Sequence, residues 1–258
     1  MTGRVVVVTG AASGIGFALA RRCARDGDRV VLADLHADVL ADAARELEAA
    51  GAEVLAVPTD VTDPVAVDAL AARTVEHFGT VHVVCNNAGL VVGGVAWEVP
   101  LADWHRLMDV NLWGVIHGIR SFMPILLAHD EPAHVVNTAS MAAVTALAGL
   151  GPYVASKHAV LGLTETLFHD IAAAGAGDRI GVTVICPGYV PTRIGYEDRR
   201  AAVPEPPPGT VSADDVASAV VEAMAERRVF VFTHDGTAEQ VSARAAAIVD
   251  GRAHVRNR

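Results

Sequence analysis

Basic residues, cysteines and aromatic side chains are all scarce in this sequence. Asp and Glu outnumber Lys and Arg by 30 to 20, the formal net charge is -10, and no basic stripe with interleaved aromatics occurs. Because such a chain repels a polyanion, its charge argues against nucleic acid as the main partner. Aromatic residues make up only 5% of the chain, so its core must be built largely from Ala, Val, Leu and Ile.

Cysteine spacing and hydrophobic run length exclude further classes. The three cysteines, Cys23, Cys85 and Cys186, lie far apart among apolar residues, which predicts reduced core thiols and no metal site. The apolar run at residues 5–8 is shorter than the roughly 7–15 residues that a signal peptide needs. No apolar stretch reaches the roughly 18 residues of a membrane span. These absences predict a cytoplasmic protein with no membrane association.

Lysine is nearly missing: of the 20 basic side chains, only Lys157 is a lysine. A coding bias toward arginine accounts for the imbalance. It does not account for the single exception, so Lys157 is a position to test for function.

Short β-branched runs alternate with amphipathic segments along the chain. Residues 5–8 are four valines, typical of a parallel strand buried on both faces, and apolar residues at four-residue spacing in 15–25 predict a helix after it. Further strands are predicted at 29–33, 53–57, 81–85, 134–138, 180–185 and 228–232, and further helices at 38–50, from 63, at 101–127, 153–173 and 214–227. This alternation predicts a single α/β domain over residues 1–258, a Rossmann-type doubly wound, mostly parallel seven-stranded sheet with helices on both faces.

A glycine-rich turn follows the first predicted strand. Glycines there let the backbone approach a pyrophosphate, and the amides that open the next helix attract its charge. Such turns are common, so the turn is informative chiefly through its place after the first strand. The residues predicted to bind the cofactor in this turn are Gly10, Ser13, Gly14, Ile15 and Gly16.

Asp34 ends the second predicted strand, 18 residues beyond Gly16. A carboxylate at this position accepts hydrogen bonds from the ribose hydroxyls of adenosine and repels a 2′-phosphate, which favours NAD over NADP. Neither Ser13 nor Leu35 brings a cation that would hold that phosphate. The alternative interpretation of Asp34 is a helix-capping carboxylate.

Small or hydrogen-bonding residues also end the later strands, where ligands of such sheets bind. They are Asp60 and Val61 after the third strand, Asn87, Ala88 and Gly89 after the fourth, Ser140 after the fifth, and Pro187 and Gly188 after the sixth. Thirteen residues beyond Ser140, Tyr153 and Lys157 stand one helical turn apart and so share a helix face.

Tyr153 and Lys157 form a chemically useful pair. A phenol has a pKa of about 10, and an adjacent ammonium favours the phenolate that could act as a base. Ser140 could hydrogen-bond the substrate oxygen. A surface pair is the commoner origin of a lone Tyr-x-x-x-Lys, but here it coincides with several nucleotide-type strand ends.

Together these motifs resemble the short-chain dehydrogenase/reductase family, in its single-domain branch of about 250 residues. The match in motif order runs from Arg4 to about Phe232. The resemblance implies hydride transfer between NAD and an alcohol carbon, with Tyr153 as the general acid/base and Lys157 also bonded to the nicotinamide ribose. It adds Asn111 as a holder of a proton-relay water. It further implies these contacts: Asp60 and Val61 at the adenine, Asn87, Ala88 and Gly89 along the cofactor, and Val190 and Thr192 at the carboxamide.

The segments expected to meet the substrate are mostly apolar. They supply Val91, Val92, Met141, Val144, Leu147, Leu150, Tyr189, Ile194 and Tyr196. A hydrophobic secondary alcohol or its ketone, of terpenoid or steroid type, is therefore the expected substrate.

A lid is predicted at about 190–210, where Arg193, Arg199 and Arg200 are either carboxylate ligands or a solvated face. A flexible tail is predicted from about 251. The alternative function is a non-catalytic NAD-binding sensor.

The two long helices, 101–127 and 153–173, are expected to assemble a homodimer or homotetramer. Small residues in them would permit close packing between copies: Gly114, Gly118, Ala159 and Gly162.

Overall fold

A seven-stranded sheet, parallel throughout, forms the centre of the computed structural model, which describes residues 3–194 and 210–251. The strands are β1 (Val5–Thr9), β2 (Arg29–Asp34), β3 (Val54–Pro58), β4 (Val83–Asn86), β5 (Ala133–Thr138), β6 (Ile180–Cys186) and β7 (Phe230–Phe232). Their order in the sheet is β3-β2-β1-β4-β5-β6-β7, so the direction of winding reverses between β1 and β4. The predicted doubly wound Rossmann-type sheet is confirmed.

Helices cover both faces of this sheet because alternate side chains of its strands point in opposite directions. The helices are α1 (Gly14–Arg25), α2 (Ala37–Ala49), α3 (Pro64–Phe78), α4 (Leu101–Met108), α5 (Gly114–Ala128), α6 (Gly151–Ala173), α7 (Ala213–Glu226) and α8 (Thr237–Val249). Val6 and Val8 pack with α1, α2 and α7, whereas Val5 and Val7 pack on the face that carries α3, α5 and α6. The sequence interpretation ended its elements at Phe232 and missed α8.

The long helix predicted at 101–127 is continuous over Leu101–Ala128, with a π-helical turn at Asp109–Trp113 between α4 and α5. By length and composition alone this helix could cross a membrane. A core helix of a globular protein passes the same test, and here α5 packs on α3 and on β4 and β5. It is therefore weak evidence for a membrane span.

Two of the small residues predicted to bring copies together are used inside the chain instead. A Cβ at Gly114 would lie 2.9 Å from Val61 Cγ2, and one at Gly118 would overlap the Asn86 side chain on β4. Both glycines let α5 lie close to the rest of its own chain. The predicted homodimer or homotetramer now rests on Ala159 and Gly162 among these residues, and it stays a prediction, as do the cytoplasmic location and the single-domain boundaries.

The predicted lid lies only partly within the described residues. Residues 190–194 and 210 are described, whereas Tyr196, Arg199, Arg200 and the tail from residue 252 lie outside them. Their predicted roles therefore stay predictions.

Because β5 contains a buried histidine, we expect the free energy of unfolding to fall in mild acid. His134 Nε2 lies 2.8 Å from Thr183 Oγ1, whose hydroxyl donates to the Arg228 carbonyl, so His134 donates this hydrogen bond as a neutral ring. Burial lowers the pKa of His134 to about 3, from an unfolded value of about 6.5. Between those two values the unfolded chain binds a proton that the folded chain lacks. Stability therefore falls with decreasing pH by about 1.4 kcal/mol per unit from this residue alone.

The measurement is urea unfolding at about pH 7.5 and about pH 5.5. His134→Gln can still donate to Thr183 but cannot ionise, so it should lose about 1.4 kcal/mol less than the wild type between the two conditions. His77→Gln, at an exposed position, should keep the wild-type dependence. Equal pH dependence of the wild type and His134→Gln would contradict the prediction.

Candidate active site

A cavity of about 810 Å³ opens at the carboxyl ends of the strands, across the point where the strand order reverses. This is where ligands bind in open parallel sheets, and the volume lies in the range of small-molecule sites. The residues predicted at the strand ends line it from the Asp34 end to the Tyr153 end: Gly10, Ser13, Gly14, Ile15, Asp34, Asp60, Val61, Asn87, Ala88, Gly89, Ser140, Tyr153, Lys157, Pro187, Gly188, Val190 and Thr192.

The glycine turn after β1 brings its backbone close to the cavity. Gly10 and Gly14 have φ of +65° and +58°, a region that L side chains rarely adopt, and a Cβ at Gly10 would lie 2.9 Å from Ala88 Cα. Ser13 precedes α1 without a side-chain cap, and the first turn of α1 contains no acidic residue. The backbone N–H groups at the start of α1 can therefore donate to an anionic group in the cavity, and the turn fits a pyrophosphate.

Gly16 differs from the other residues of the turn. A Cβ there would overlap the Gly10 carbonyl oxygen, and Gly16 is absent from the cavity lining. Gly16 thus serves the packing of α1 against the turn, and its predicted contact with the cofactor stays a prediction.

Asp34 ties the end of β2 to the glycine turn. One carboxylate oxygen accepts from Ala12 N at 3.2 Å and the other from His36 N at 3.1 Å. The residue that precedes α2 is His36, so Asp34 is not its N-cap, and the capping alternative does not describe this carboxylate. Both oxygens keep a lone pair, and the residue lines the cavity.

The middle of the cavity is held by bonds between β1 and the segment after β4. Thr9 Oγ1 accepts from Asn87 N at 2.9 Å and from Ala88 N at 3.0 Å, and Asn87 Nδ2 donates to Thr9 O at 2.9 Å. On the other side of β1, Asp60 Oδ1 accepts from Thr62 N and Thr62 Oγ1. These contacts fix the loops whose Ala88 and Val61 face the cavity.

Lys157 is buried beside the reaction centre. Its side chain is only 3% exposed, and Nζ donates to the Thr138 carbonyl at 2.8 Å and lies 5.7 Å from the centroid of the Tyr153 ring. Burial lowers the pKa of this ammonium from 10.5 to about 8. Since an ammonium has three donors, Nζ has capacity left for a ligand.

Tyr153 corrects one detail of the expected chemistry. Burial raises the pKa of its phenol above the ordinary value, and a hydrogen bond with Ser140 acts in the opposite direction. Lys157, predicted to lower this pKa, does not contribute to the shift. The physical reason is that desolvation disfavours the phenolate more than nearby groups favour it.

Ser140 is held at the entrance to the helical turn Met141–Ala143. Its Oγ accepts from Ala142 N at 3.1 Å and donates to the Pro187 carbonyl at 3.3 Å. The hydroxyl is thereby oriented between β5 and β6 and lines the cavity with Tyr153.

Asn111 lies in the π-helical turn and is fully buried. Its side chain bridges to Leu90, accepting from Leu90 N at 2.8 Å and donating to Leu90 O at 2.9 Å, and it also donates to Ser156 Oγ at 3.2 Å. It does not line the cavity. These contacts show a residue that positions the 89–90 segment beside Lys157, and the relay water implied by the resemblance stays a prediction.

The cavity has a second wall that sequence reasoning missed. Its residues come from the segment between β7 and α8 and from the first turn of α8: His234, Asp235, Thr237 and Gln240. They follow a strand of only three residues and belong to no motif, so no local signal marked them. Of the predicted substrate contacts, Val91, Met141, Leu147, Leu150, Tyr189 and Ile194 line the cavity, whereas Val92 and Val144 do not.

The family model for short chain dehydrogenases matches residues 4–202, which is most of the chain. A curated relative, the 1-deoxy-11-beta-hydroxypentalenate dehydrogenase of Streptomyces avermitilis, is 46% identical over 232 residues, covering 88% of this chain and 83% of the relative. The chain therefore belongs to the short-chain dehydrogenase family and is an oxidoreductase acting on CH–OH groups.

Two solved structures share the fold over nearly the whole chain. A short-chain dehydrogenase/reductase from Burkholderia phymatum in complex with NAD superposes with a TM-score of 0.92 at 40% identity, covering 100% of this chain and 98% of that one. An alcohol dehydrogenase from the archaeon Thermococcus sibiricus, complexed with 5-hydroxy-NADP, gives 0.78 at 27% identity, with coverages of 89% and 95%. Similar structures thus hold cofactors of both types.

Proposed function

We propose that this protein is an NAD-dependent dehydrogenase that interconverts a hydrophobic secondary alcohol and its ketone by hydride transfer. The observation that carries the proposal is one continuous cavity with a ribose-type carboxylate, Asp34, at one end and Ser140, Tyr153 and Lys157 at the other. Positions between the two ends are taken by a glycine turn and by the open N-terminus of α1.

The chain's own groups would orient the alcohol and move its proton. When bound, the nicotinamide supplies the hydride acceptor. Ser140 Oγ would turn its one proton from the Pro187 carbonyl to the substrate oxygen. The alcohol proton would then stay available for exchange with the Tyr153 phenol. Lys157 Nζ, held by Thr138, would donate to the nicotinamide ribose and add positive charge beside the phenol.

The preference for NAD rests on Asp34. Among the described residues lining that end of the cavity, Leu35, His36 and Val39 bring no guanidinium or ammonium group. A 2′-phosphate would therefore meet a carboxylate without a compensating permanent cation, and a like-charge contact of this kind costs several kcal/mol. The Burkholderia relative in complex with NAD supports the same choice.

The proposed substrate class follows from the side chains that line the cavity away from Asp34. This part of the cavity is lined by apolar side chains, including Met141, Leu147, Leu150 and Ile194, with a few polar groups from the second wall. Such a surface favours a compact hydrophobic alcohol. The Streptomyces relative, named for a hydroxypentalenate, supports a terpenoid-like substrate.

The test is NADH or NADPH production against a panel of cyclic and acyclic secondary alcohols, each assayed with both cofactors. We expect turnover with NAD for hydrophobic alcohols and a ratio of kcat/KM that favours NAD over NADP. Asp34→Ala removes the repelling charge and should shift that ratio toward NADP by at least about tenfold, equivalent to about 1.4 kcal/mol.

Exposed Asp38 on α2 provides the matched carboxylate control, since it is absent from the cavity lining. Asp38→Ala should leave the cofactor ratio unchanged. NADH binding without turnover on any alcohol would instead identify a sensor, and an unchanged ratio in Asp34→Ala would remove Asp34 as the determinant.

A further inference from the structure

His234 joins the end of β7 to the end of β6 at the edge of the cavity. Its Nδ1 accepts from Gly188 N at 3.0 Å, and its Nε2 lies 3.0 Å from the Tyr189 carbonyl oxygen. Thr233 Oγ1 is a second neighbour of Nδ1 at 2.9 Å. One imidazole therefore holds two consecutive residues of the segment that follows β6.

The partners of the ring determine its protonation. A backbone N–H can only donate, so Nδ1 carries no proton where it meets Gly188. The Tyr189 carbonyl can only accept, so Nε2 carries the proton. The contacts thus select the neutral ring with hydrogen on Nε2, and a positively charged ring would oppose the Gly188 N–H.

The ring also fills the space beside Gly188. A Cβ at Gly188 would lie 2.9 Å from both Cγ and Cδ2 of His234, so the imidazole packs directly on the glycine backbone. Any side chain at residue 188 would displace the ring and break the pair of hydrogen bonds.

The held segment is connected to the reaction centre by its preceding residue. The Pro187 carbonyl accepts from Ser140 Oγ at 3.3 Å and from Met141 N at 2.8 Å. A shift of the 187–189 backbone would therefore move the acceptor that orients the Ser140 hydroxyl. Ser140 and Tyr153 line the cavity together, and Ser140 acts to lower the pKa of the Tyr153 phenol.

We infer that His234 is a positioning residue for the reaction: it fixes the backbone of residues 187–189, and through the Pro187 carbonyl, which accepts from Ser140 Oγ and Met141 N, it sets the position of the Ser140 side chain. The inference rests on the proposed function, in which Ser140 meets the substrate oxygen. It assigns to the segment between β7 and α8 a role that none of the sequence motifs carries. Displacing a reacting group by about 1 Å lowers rates by as much as 100-fold. Loss of the two His234 hydrogen bonds should therefore lower kcat.

The experiment compares His234→Ala with His234→Asn. Asparagine places its Oδ1 near the position of Nδ1, so it can still accept from Gly188 N, whereas alanine offers no acceptor. We expect His234→Ala to lower kcat by about 10- to 100-fold, with a smaller change in KM for the alcohol, and His234→Asn to recover most of kcat. The melting temperature is measured for each variant, and His77→Ala, at an exposed position, is the control.

A second measurement needs neither cofactor nor turnover. Two-bond ¹H–¹⁵N correlation spectra of the unliganded protein distinguish the tautomers of His234, which His234→Ala identifies by the loss of its signals. The two hydrogen bonds of His234, with Gly188 N and with the Tyr189 carbonyl, require the Nε2–H form. If wild-type protein turns over no alcohol, the proposed function fails, and the tautomer alone then tests whether His234 holds this backbone.

Three results would overturn the inference. One is an unchanged kcat in His234→Ala, and another is an equal loss of kcat in the alanine and asparagine variants, which would show that the ring serves only to fill space. The third is an Nδ1–H or a charged ring in the unliganded protein at neutral pH.

Discussion

Tyr153→Phe is expected to lower kcat by about 10²- to 10⁴-fold, because the phenol hydroxyl is the group that exchanges the alcohol proton and general acid–base catalysis typically contributes this much. Only one oxygen is removed, and the ring stays packed at the same place in α6. NADH binding, measured by fluorescence titration, should therefore remain within about tenfold of the wild type, since a lost neutral hydrogen bond is worth about 0.5–1.5 kcal/mol. Undiminished turnover in this variant would contradict the assignment of Tyr153.

The pH dependence of the wild type provides an independent check on the same group. Burial raises the pKa of the Tyr153 phenol, so the deprotonated base becomes more abundant with increasing pH throughout the neutral range. Alcohol oxidation should therefore rise with pH, and ketone reduction, which needs the protonated phenol, should not rise with it. The measurement is kcat for both directions in the same buffers.

Lys157→Met is the second change with a large expected effect. It removes the charge but keeps an unbranched side chain of similar length, and we expect kcat/KM for NAD and alcohol to fall by about 10²- to 10³-fold, as when one electrostatic donor of an active site is deleted. Lys157→Arg should also lose most activity, because a planar guanidinium does not fit a site that leaves the lysine 3% exposed. An active methionine variant would contradict the role of the ammonium.

Unfolding measurements separate this loss from misfolding. Burial lowers the pKa of Lys157 to about 8, so below that pH the folded chain holds a charge that the buried site disfavours by about 3 kcal/mol relative to the unfolded chain. This penalty is relieved as pH rises from about 8 to about 10.5. Lys157→Met removes it but leaves the Thr138 carbonyl without its donor, which costs about 1–3 kcal/mol. The two effects oppose each other, so the free energy of unfolding near pH 7 should stay within about 2 kcal/mol of the wild type.

Much of the site could be predicted because it depends on local spacing and on strand ends. Residues 5–9 form a buried strand, the glycine turn must follow it, and Asp34 ends the neighbouring strand. Parallel strands bring these ends to one edge, and a four-residue separation puts Tyr153 and Lys157 on one face of α6. None of these steps needs a long-range contact beyond the order of the sheet.

Other features could not be predicted because they depend on what packs against each residue. Small residues such as Gly114 and Gly118 would permit close packing between copies of the chain. In the structure, however, Val61 and Asn86 of the same chain occupy the space beside them. Gly16 belongs to the same turn as Gly14, and only the nearness of the Gly10 carbonyl shows that it serves packing. The helix α8 was missed altogether.

Lys157 illustrates which features the sequence determines and which features depend on the tertiary structure. By itself the sequence determined the family, the sheet, the row of residues at the strand ends and the pairing of Lys157 with Tyr153, since periodicity and short-range spacing are properties of the chain. Only the tertiary structure decided that burial raises the pKa of Tyr153 despite the opposing effect of Ser140, and that Asn111 faces Leu90 rather than the cavity. It alone brought His234 against Gly188, 46 residues away. Burial and hydrogen-bond partners are set by elements distant in sequence, and a pattern of residues does not contain them until the chain has folded.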